Sequence, residues 1–214
     1  MFSVLAPYLY TVGMFFFLNR MSNDTYSASY RITKALPLFV LALTSYRTLR
    51  NARLRRFTVI GQIFSAAGGY FLCGDDVEFL SSGFLSFSVA HSAFILSFYS
   101  GHVWPAAGSA ILTISVMGIF FVFEKVNGIR LKIQIIVNIL ILSIGVWLAV
   151  SELYYLSATK SWLRTLGCAE FYISDMLFIL RKWYSSNIPI SNFWITLLYF
   201  KSQSMIFLAS MYVI

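Results

Sequence analysis

Apolar residues run in long blocks along the whole chain, separated by short polar or charged stretches. A helix that crosses a bilayer needs roughly 20 apolar residues, within a range of about 17–25. Eight blocks approach that template: Val4–Leu18, Thr33–Tyr46, Phe57–Cys73, Gly83–Tyr99, Val103–Phe123, Ile133–Val150, Leu163–Leu180 and Phe193 to the end. The first two reach full length only with flanking residues. The sixth is the most uniformly apolar. The stretches between blocks are too short for an extramembrane domain. The pattern therefore predicts an all-α fold, a polytopic membrane helix bundle of about eight transmembrane helices, as a single domain over residues 1–214. The first block lacks a basic leader and a small-x-small cleavage site, so it reads as a retained span. Gly61, Ser65 and Gly69, at four-residue spacing, form a small-residue face that lets helices approach closely.

Composition agrees. Hydrophobic residues make up 59% of the 214 and charged residues 11%, where soluble domains have roughly 45–50% and about 25%. Mean hydropathy is +0.76. There is too little polar side chain to cover a surface facing water. The same figures exclude a disordered, collagenous or disulfide-framework protein.

A net charge of +8 would suggest nucleic acid in a soluble protein. Here no basic groove pattern exists, and basic residues flanking spans meet anionic headgroups instead. The densest run is Arg47, Arg50, Arg53, Arg55 and Arg56, between the second and third blocks. The positive-inside rule puts that loop, and with it both termini, in the cytoplasm. The full count is nearly even. Lys160 and Arg164 bring this side to seven, against eight on the other. The acidic loop Asp75, Asp76 and Glu78 falls on the opposite side, as the rule expects. The Asn23-Asp24-Thr25 sequon would be lumenal but sits too close to the first span to be a good acceptor.

Candidate chemistry comes from polar residues where they are expensive. An ionisable group at the bilayer centre costs about 2.5–3.5 kcal/mol on insertion scales, so each one needs a reason. Asp175 lies near the middle of the seventh span, either as a pin between helices or as a functional carboxylate. Glu170, five residues earlier, is about 140° away around the helix and so faces another partner. Lys34 opens the second span, where Pro37 starts or kinks the helix. A snorkelling lysine and a functional one are equally compatible with that place. His91 lies in mid-span four, where a neutral histidine bonded to a neighbouring helix is the plainer reading. Gln203 and Lys201 in the eighth span are 200° apart, so only one can face a shared interior. Span three adds Ser65 and the Gly68-Gly69 pair. Cys73 and Cys168 read as buried core thiols. No Cys/His spacing suits a metal, and two histidines, His91 and His102, cannot build a three-histidine zinc site. These residues leave a transporter, a receptor and an enzyme all open.

Three segments resemble the YhhN family, the lysoplasmalogenases. Thr33-Lys34-Ala35-Leu36-Pro37 is similar to the family's Lys-x-Leu-Pro. Phe64-Ser65-Ala66-Ala67-Gly68 is followed, at the family's spacing, by Gly83-x3-Phe87-x3-His91. Gly167-x3-Phe171-x2-Ser174-Asp175 is followed by Lys182 and Tyr199-x3-Gln203. The resemblance covers most of the chain. It implies cleavage of the vinyl ether bond of lysoplasmalogens to a fatty aldehyde and glycerophosphocholine or glycerophosphoethanolamine, in the endoplasmic reticulum or another endomembrane. It implies no cofactor and no metal. Lysophospholipid substrate and membrane lipids are the implied partners, and oligomeric state is not readable.

Vinyl ethers hydrolyse by slow protonation of the β-carbon, which suits a buried carboxyl whose pKa desolvation lifts toward neutrality. A second carboxylate would orient water and stabilise the cation. The resemblance implies one Asp after the Ser-x-x-Gly of span three and another in the Ser-Asp of span seven. Asp175 fills the second place, but Gly69 stands at the first. On a continuing helix Asp76 would be about 20° off the same face and about 10 Å further along. The catalytic candidates are therefore Asp175 and Asp76. Lys34, Ser65, His91 and Gln203 are the substrate-binding candidates. Rival expectations are a lipid-binding pseudoenzyme of the same fold, which lost catalysis with Gly69, and a small transporter or receptor.

Overall fold

The computed structural model describes residues 2–19, 27–184 and 191–212. The sequon and Arg20 lie outside the described residues. Eight α-helices follow in chain order: α1 (Phe2–Asn19), α2 (Ala28–Thr48), α3 (Ala52–Phe71), α4 (Val77–Phe98), α5 (Pro105–Lys125), α6 (Ile129–Leu156), α7 (Thr159–Tyr184) and α8 (Asn192–Met211). Among the described residues there is no strand. Each apolar block falls on one helix, in order.

The helices outrun their apolar blocks because polar residues set their ends. Ser27 caps α2, its hydroxyl accepting from the Tyr30 N–H at 3.2 Å. Asn51 caps α3 through the Leu54 N–H at 3.0 Å. Such caps satisfy donors that have no intrahelical partner. Helix α2 thus starts nine residues before Pro37, which sits inside it and deprives the Thr33 carbonyl of its helical donor. Gly128, at φ +88°, turns the chain into α6, a conformation that favours glycine.

Three helices, α4, α5 and α6, are long and apolar enough to cross a bilayer by length and composition. Helix α1 is apolar but shorter, and α2, α3, α7 and α8 carry more polar residues, several of them buried. Buried positions on α3 include Thr58, Gln62 and Ser65, and on α7 Ser161, Arg164, Ser174 and Asp175. Ile32, Leu36, Phe39, Leu43 and Tyr46 of α2 meanwhile form an exposed stripe at three- and four-residue spacing. Polar groups inside and apolar groups outside is the arrangement a lipid-facing helix requires. Monomeric soluble proteins rarely expose apolar patches beyond a few hundred Å². The chain is an integral membrane protein built as a helical bundle.

The chain divides into two compact units, residues 1–97 and 98–214. In the first, α2 packs on α1 and α3. Glycines on α3 receive rings from α4. A Cβ at Gly61 would lie 2.5 Å from the Phe94 ring, and one at Gly68 would lie 2.8 Å from the Phe87 ring. Seven residues forward on α3 correspond to seven back on α4, so the two helices run antiparallel in constant register. Gly83 continues it against Leu72.

In the second unit α7 packs on α6 and α8, and α5 on α6. The start of α5 is tied to α6. Trp147 Nε1 donates to the Trp104 carbonyl at 2.8 Å, and the Trp104 N–H donates to Ser151 Oγ at 3.0 Å. The sequence count placed Arg164 among the loop charges. It lies instead inside α7, 3% exposed, donating to buried Glu152 of α6, with its guanidinium 4.8 Å from the Phe98 ring centre. A buried pair of this kind contributes nothing to orientation, so Arg164 drops out of the charge count.

Candidate functional site

Asp175 sits on α7, 6% exposed. Asn138 of α6, fully buried, donates its Nδ2–H to Asp175 Oδ2 at 3.1 Å. The residues before Asp175 face α8. The Ser174 hydroxyl donates to the Ile195 carbonyl at 3.0 Å, and Phe171 meets Tyr199 edge-on at 5.5 Å. At Gly167 a Cβ would lie 3.1 Å from the Ser202 carbonyl oxygen and 3.2 Å from the Ile206 nitrogen. Gly167, Phe171, Ser174 and Tyr199 thus build the α7–α8 seam. Asp175, about 100° round from Ser174, is turned toward α6.

The other charges on these helices sort as their spacing predicts. Glu170 faces away from Asp175 and accepts from Lys201 Nζ at 2.5 Å, with Lys201 about half exposed. Gln203 is the one of the α8 pair that points inward, and it is fully buried. The Phe171–Tyr199 contact sets Gln203, one turn further along α8, level with Gly167. That is eight residues from Asp175, about 12 Å along the axis, so these two candidates are not at one level. A hydroxyl group near Asp175 has more claim on its surroundings. Tyr172 OH lies 3.3 Å from Ser115 Oγ, which is 2.6 Å from Ser143 Oγ, linking α5, α6 and α7.

In the first unit His91 stacks on Phe87, with centroids 5.9 Å apart and planes 16° from parallel. It lies between the two rings that enter Gly61 and Gly68, and so at the level of Ser65. His91 and Ser65 are both buried, and the register brings them together. Lys34 reaches from α2 to α3, its Nζ donating to Cys73 Sγ at 3.7 Å. The Cys73 thiol in turn donates to the Gly69 carbonyl at 3.2 Å. The ammonium is therefore delivered to the stripe of α3 that carries position 69. Both thiols, Cys73 and Cys168, are free and buried, as expected of core cysteines.

Asp76 does not occupy the place the helical projection gave it. Helix α3 ends at Phe71, the Leu72 N–H closing on the Gly68 carbonyl. A turn at Leu72-Cys73 follows, closed by the Gly74 N–H on the Phe71 carbonyl at 2.9 Å, and Asp76 is exposed ahead of α4, its carbonyl accepting from the Leu80 N–H at 3.0 Å. The helix therefore stops before its face can reach Asp76.

Asn138 and the Glu152–Arg164 pair were not singled out in the sequence, although each left a signal. An amide inside the most uniformly apolar block is costly unless it is hydrogen-bonded and so needs a partner there. Glu152 lies just past the end of its apolar block, and Arg164, at the start of the next, is counted among the loop charges.

A family model, the YhhN family, matches residues 29–210. The chain belongs to the YhhN family. The curated protein lysoplasmalogenase TMEM86A of Bos taurus is 25% identical over 217 residues, which cover 96% of this chain and 88% of the relative. No solved structure matches the chain significantly. The YhhN match takes in seven of the eight helices and leaves out α1. It includes Lys34, Ser65, Gly69, His91, Asn138, Asp175 and Gln203.

Proposed function

We propose that this YhhN protein hydrolyses the vinyl ether bond of lysoplasmalogens in an endomembrane such as the endoplasmic reticulum, at a rate reduced by Gly69. Membership of the family and a relative named lysoplasmalogenase support the reaction class. The observation that carries the assignment of residues is the buried Asp175 carboxyl held by Asn138 at 3.1 Å. Asn138 donates to Oδ2 and so fixes the orientation of the carboxyl that is assigned the proton.

In this reading the Asp175 acid transfers its proton to the β-carbon of the vinyl ether. The adjacent carbon becomes an oxocarbenium ion, and Asp175 becomes a carboxylate. Water adds to the cation and returns a proton to that carboxylate, giving a hemiacetal. The hemiacetal C–O bond breaks to release the fatty aldehyde and the glycerophosphobase. One water is consumed, and no electrons pass to or from a cofactor. The family resemblance is the ground for assigning binding parts to Lys34, Ser65 and His91 in the first unit and to Gln203 in the second, with Lys34 the cation suited to a phosphate. Asp76, exposed in a turn, takes no part.

Gly69 favours a second reading, a lipid-binding pseudoenzyme. It provides no carboxylate where the family resemblance implies one, and a general acid or base contributes about 10²–10⁴ in rate. Purified protein in detergent, given a lysoplasmalogen and assayed for aldehyde, separates the two. The hydrolase reading expects slow release by the wild type, none by Asp175→Asn, and an increase of about 10²-fold or more in Gly69→Asp. An inert wild type with an active Gly69→Asp variant establishes the pseudoenzyme. Turnover that survives Asp175→Asn removes the role assigned to that carboxyl.

A further inference from the structure

The α2–α3 seam of the first unit has a polar end whose hydrogen bonds go nowhere. Lys34 of α2 touches Cys73, in the turn that follows α3, at one end of this seam. Helices α2 and α3 are joined by only Leu49, Arg50 and Asn51 and pack on each other, so they run antiparallel. Ser45 is eleven residues on from Lys34, and Gln62 is eleven back from Cys73. Counted from the loop, Ser45 is three residues before the end of α2, and Thr58 and Gln62 are six and ten residues past the start of α3, so the three lie between the loop and the middle of the hairpin. Between them and the Lys34 end, α2 presents Leu38 and Leu41, which are fully buried. Thr58 is one turn from Gln62 on the same face of α3.

Ser45, Thr58 and Gln62 are each fully buried. Ser45 Oγ, Thr58 Oγ1, and both Oε1 and Nε2 of Gln62 have no hydrogen-bond partner among the described residues. Four buried polar atoms without partners along one stretch of the hairpin are costly, and natural proteins satisfy such groups with a bound molecule or ordered water. No charged side chain is buried on α2 or α3. A bound ion would therefore lack a counter-charge, and the occupant must be neutral and able both to donate and to accept. A hydroxyl meets both conditions. Its oxygen accepts from the Gln62 amide, and its proton goes to Gln62 Oε1 or to Thr58.

We propose that Ser45, Thr58 and Gln62 form a buried site for a neutral hydroxyl. The hydroxyl comes either from water or from the free glycerol hydroxyl of a lysophospholipid. The lipid source rests on the lysoplasmalogenase reading and would make Gln62 a specificity residue. The water source does not depend on that reading.

The test uses full-length protein in detergent and two lipids that no hydrolase of this class cleaves. One is a saturated 1-alkyl lysophosphatidylcholine, and the other is its sn-2 O-methyl analogue. Binding and thermal unfolding are measured for wild type, Gln62→Met and Thr58→Val. If the wild type prefers the free hydroxyl by about tenfold, as a lost hydrogen bond predicts, and both variants abolish the preference, the lipid hydroxyl is the occupant. If the wild type shows no preference but Gln62→Met lowers Tm by a few degrees, water is the occupant. A variant that unfolds at the same or higher temperature, with lipid preference absent or unchanged, overturns the site. That result would mean that the amide had no partner to lose. Thr58→Val, nearly isosteric, keeps the test valid if Gln62→Met does not fold. A catalytically inert protein leaves every arm readable, since neither lipid is a substrate.

Discussion

Asp175 and Asn138 share one hydrogen bond of 3.1 Å between two buried side chains. A carboxyl in an apolar interior can take many rotamers at similar energy unless something fixes it. The amide donates to one of the two oxygens and helps to hold the carboxyl in one orientation. Replacing Asn138 by Leu removes that restraint and leaves the carboxyl to reorient. A displacement of about 1 Å at the reacting atom costs on the order of 10²-fold in rate. Steady-state kinetics of aldehyde release should therefore show kcat reduced by about that factor in Asn138→Leu, with KM little changed. An unaltered kcat would mean that Asn138 only fills space. Asp175 was legible in the sequence because a lone acid in an apolar block has no cheap explanation. Asn138 deserved the same logic, and an uncharged side chain in the smoothest block hid it. Asp76 misled for the opposite reason. Angular spacing holds only while the helix continues, and α3 ends at Phe71 in a turn at Leu72-Cys73.

The elements are held by contacts that explain much of the sequence pattern. Gly61 and Gly68 exist to admit Phe94 and Phe87. Gly61→Ala drives a methyl to 2.5 Å from the Phe94 ring, and the ring or the helix must move. Overpacking of this kind costs about 1–3 kcal/mol, which thermal unfolding in detergent reads as a lower Tm. Gly13→Ala is the control. Nothing lies within 4 Å of its Cβ, and alanine in a helix interior is favoured over glycine by about 0.5–1 kcal/mol. Equal losses in the two variants would refute the packing account.

The Glu152–Arg164 pair tests the α6–α7 contact separately. Removing one partner of a buried pair strands a charge and costs about 3–5 kcal/mol. Arg164→Met should thus unfold well below the wild type, while the double variant Glu152→Leu/Arg164→Met should recover most of the loss. Similar Tm values for Arg164→Met and the double variant would show that no charge is stranded. The eight helices and their order were readable from apolar blocks alone, because hydropathy reports span length directly. Which face of each helix turns inward was not. In α7, for example, Ser174 and Asp175 are neighbours in sequence yet serve different partners.

At the scale of the molecule, apolar stripes face outward and polar side chains face inward in both units. Exposed Ile114, Met117 and Phe120 of α5 repeat what the outer stripe of α2 shows. A bilayer is the solvent that makes this arrangement stable, and it also lets a carboxyl, an amide and several hydroxyls sit in an apolar interior. Family membership and a relative named lysoplasmalogenase support the proposed reaction class, and Gly69 sets the question of rate. The central claim is that Asp175 delivers the proton that breaks a vinyl ether. The most direct measurement is single-turnover aldehyde release from a lysoplasmalogen in heavy water and in light water, for wild type, Gly69→Asp and Asp175→Asn. Rate-limiting proton transfer from Asp175 predicts slower release in heavy water for the first two proteins and no release from the third. Release from Asp175→Asn at the wild-type rate, with the same solvent isotope effect, would contradict the account.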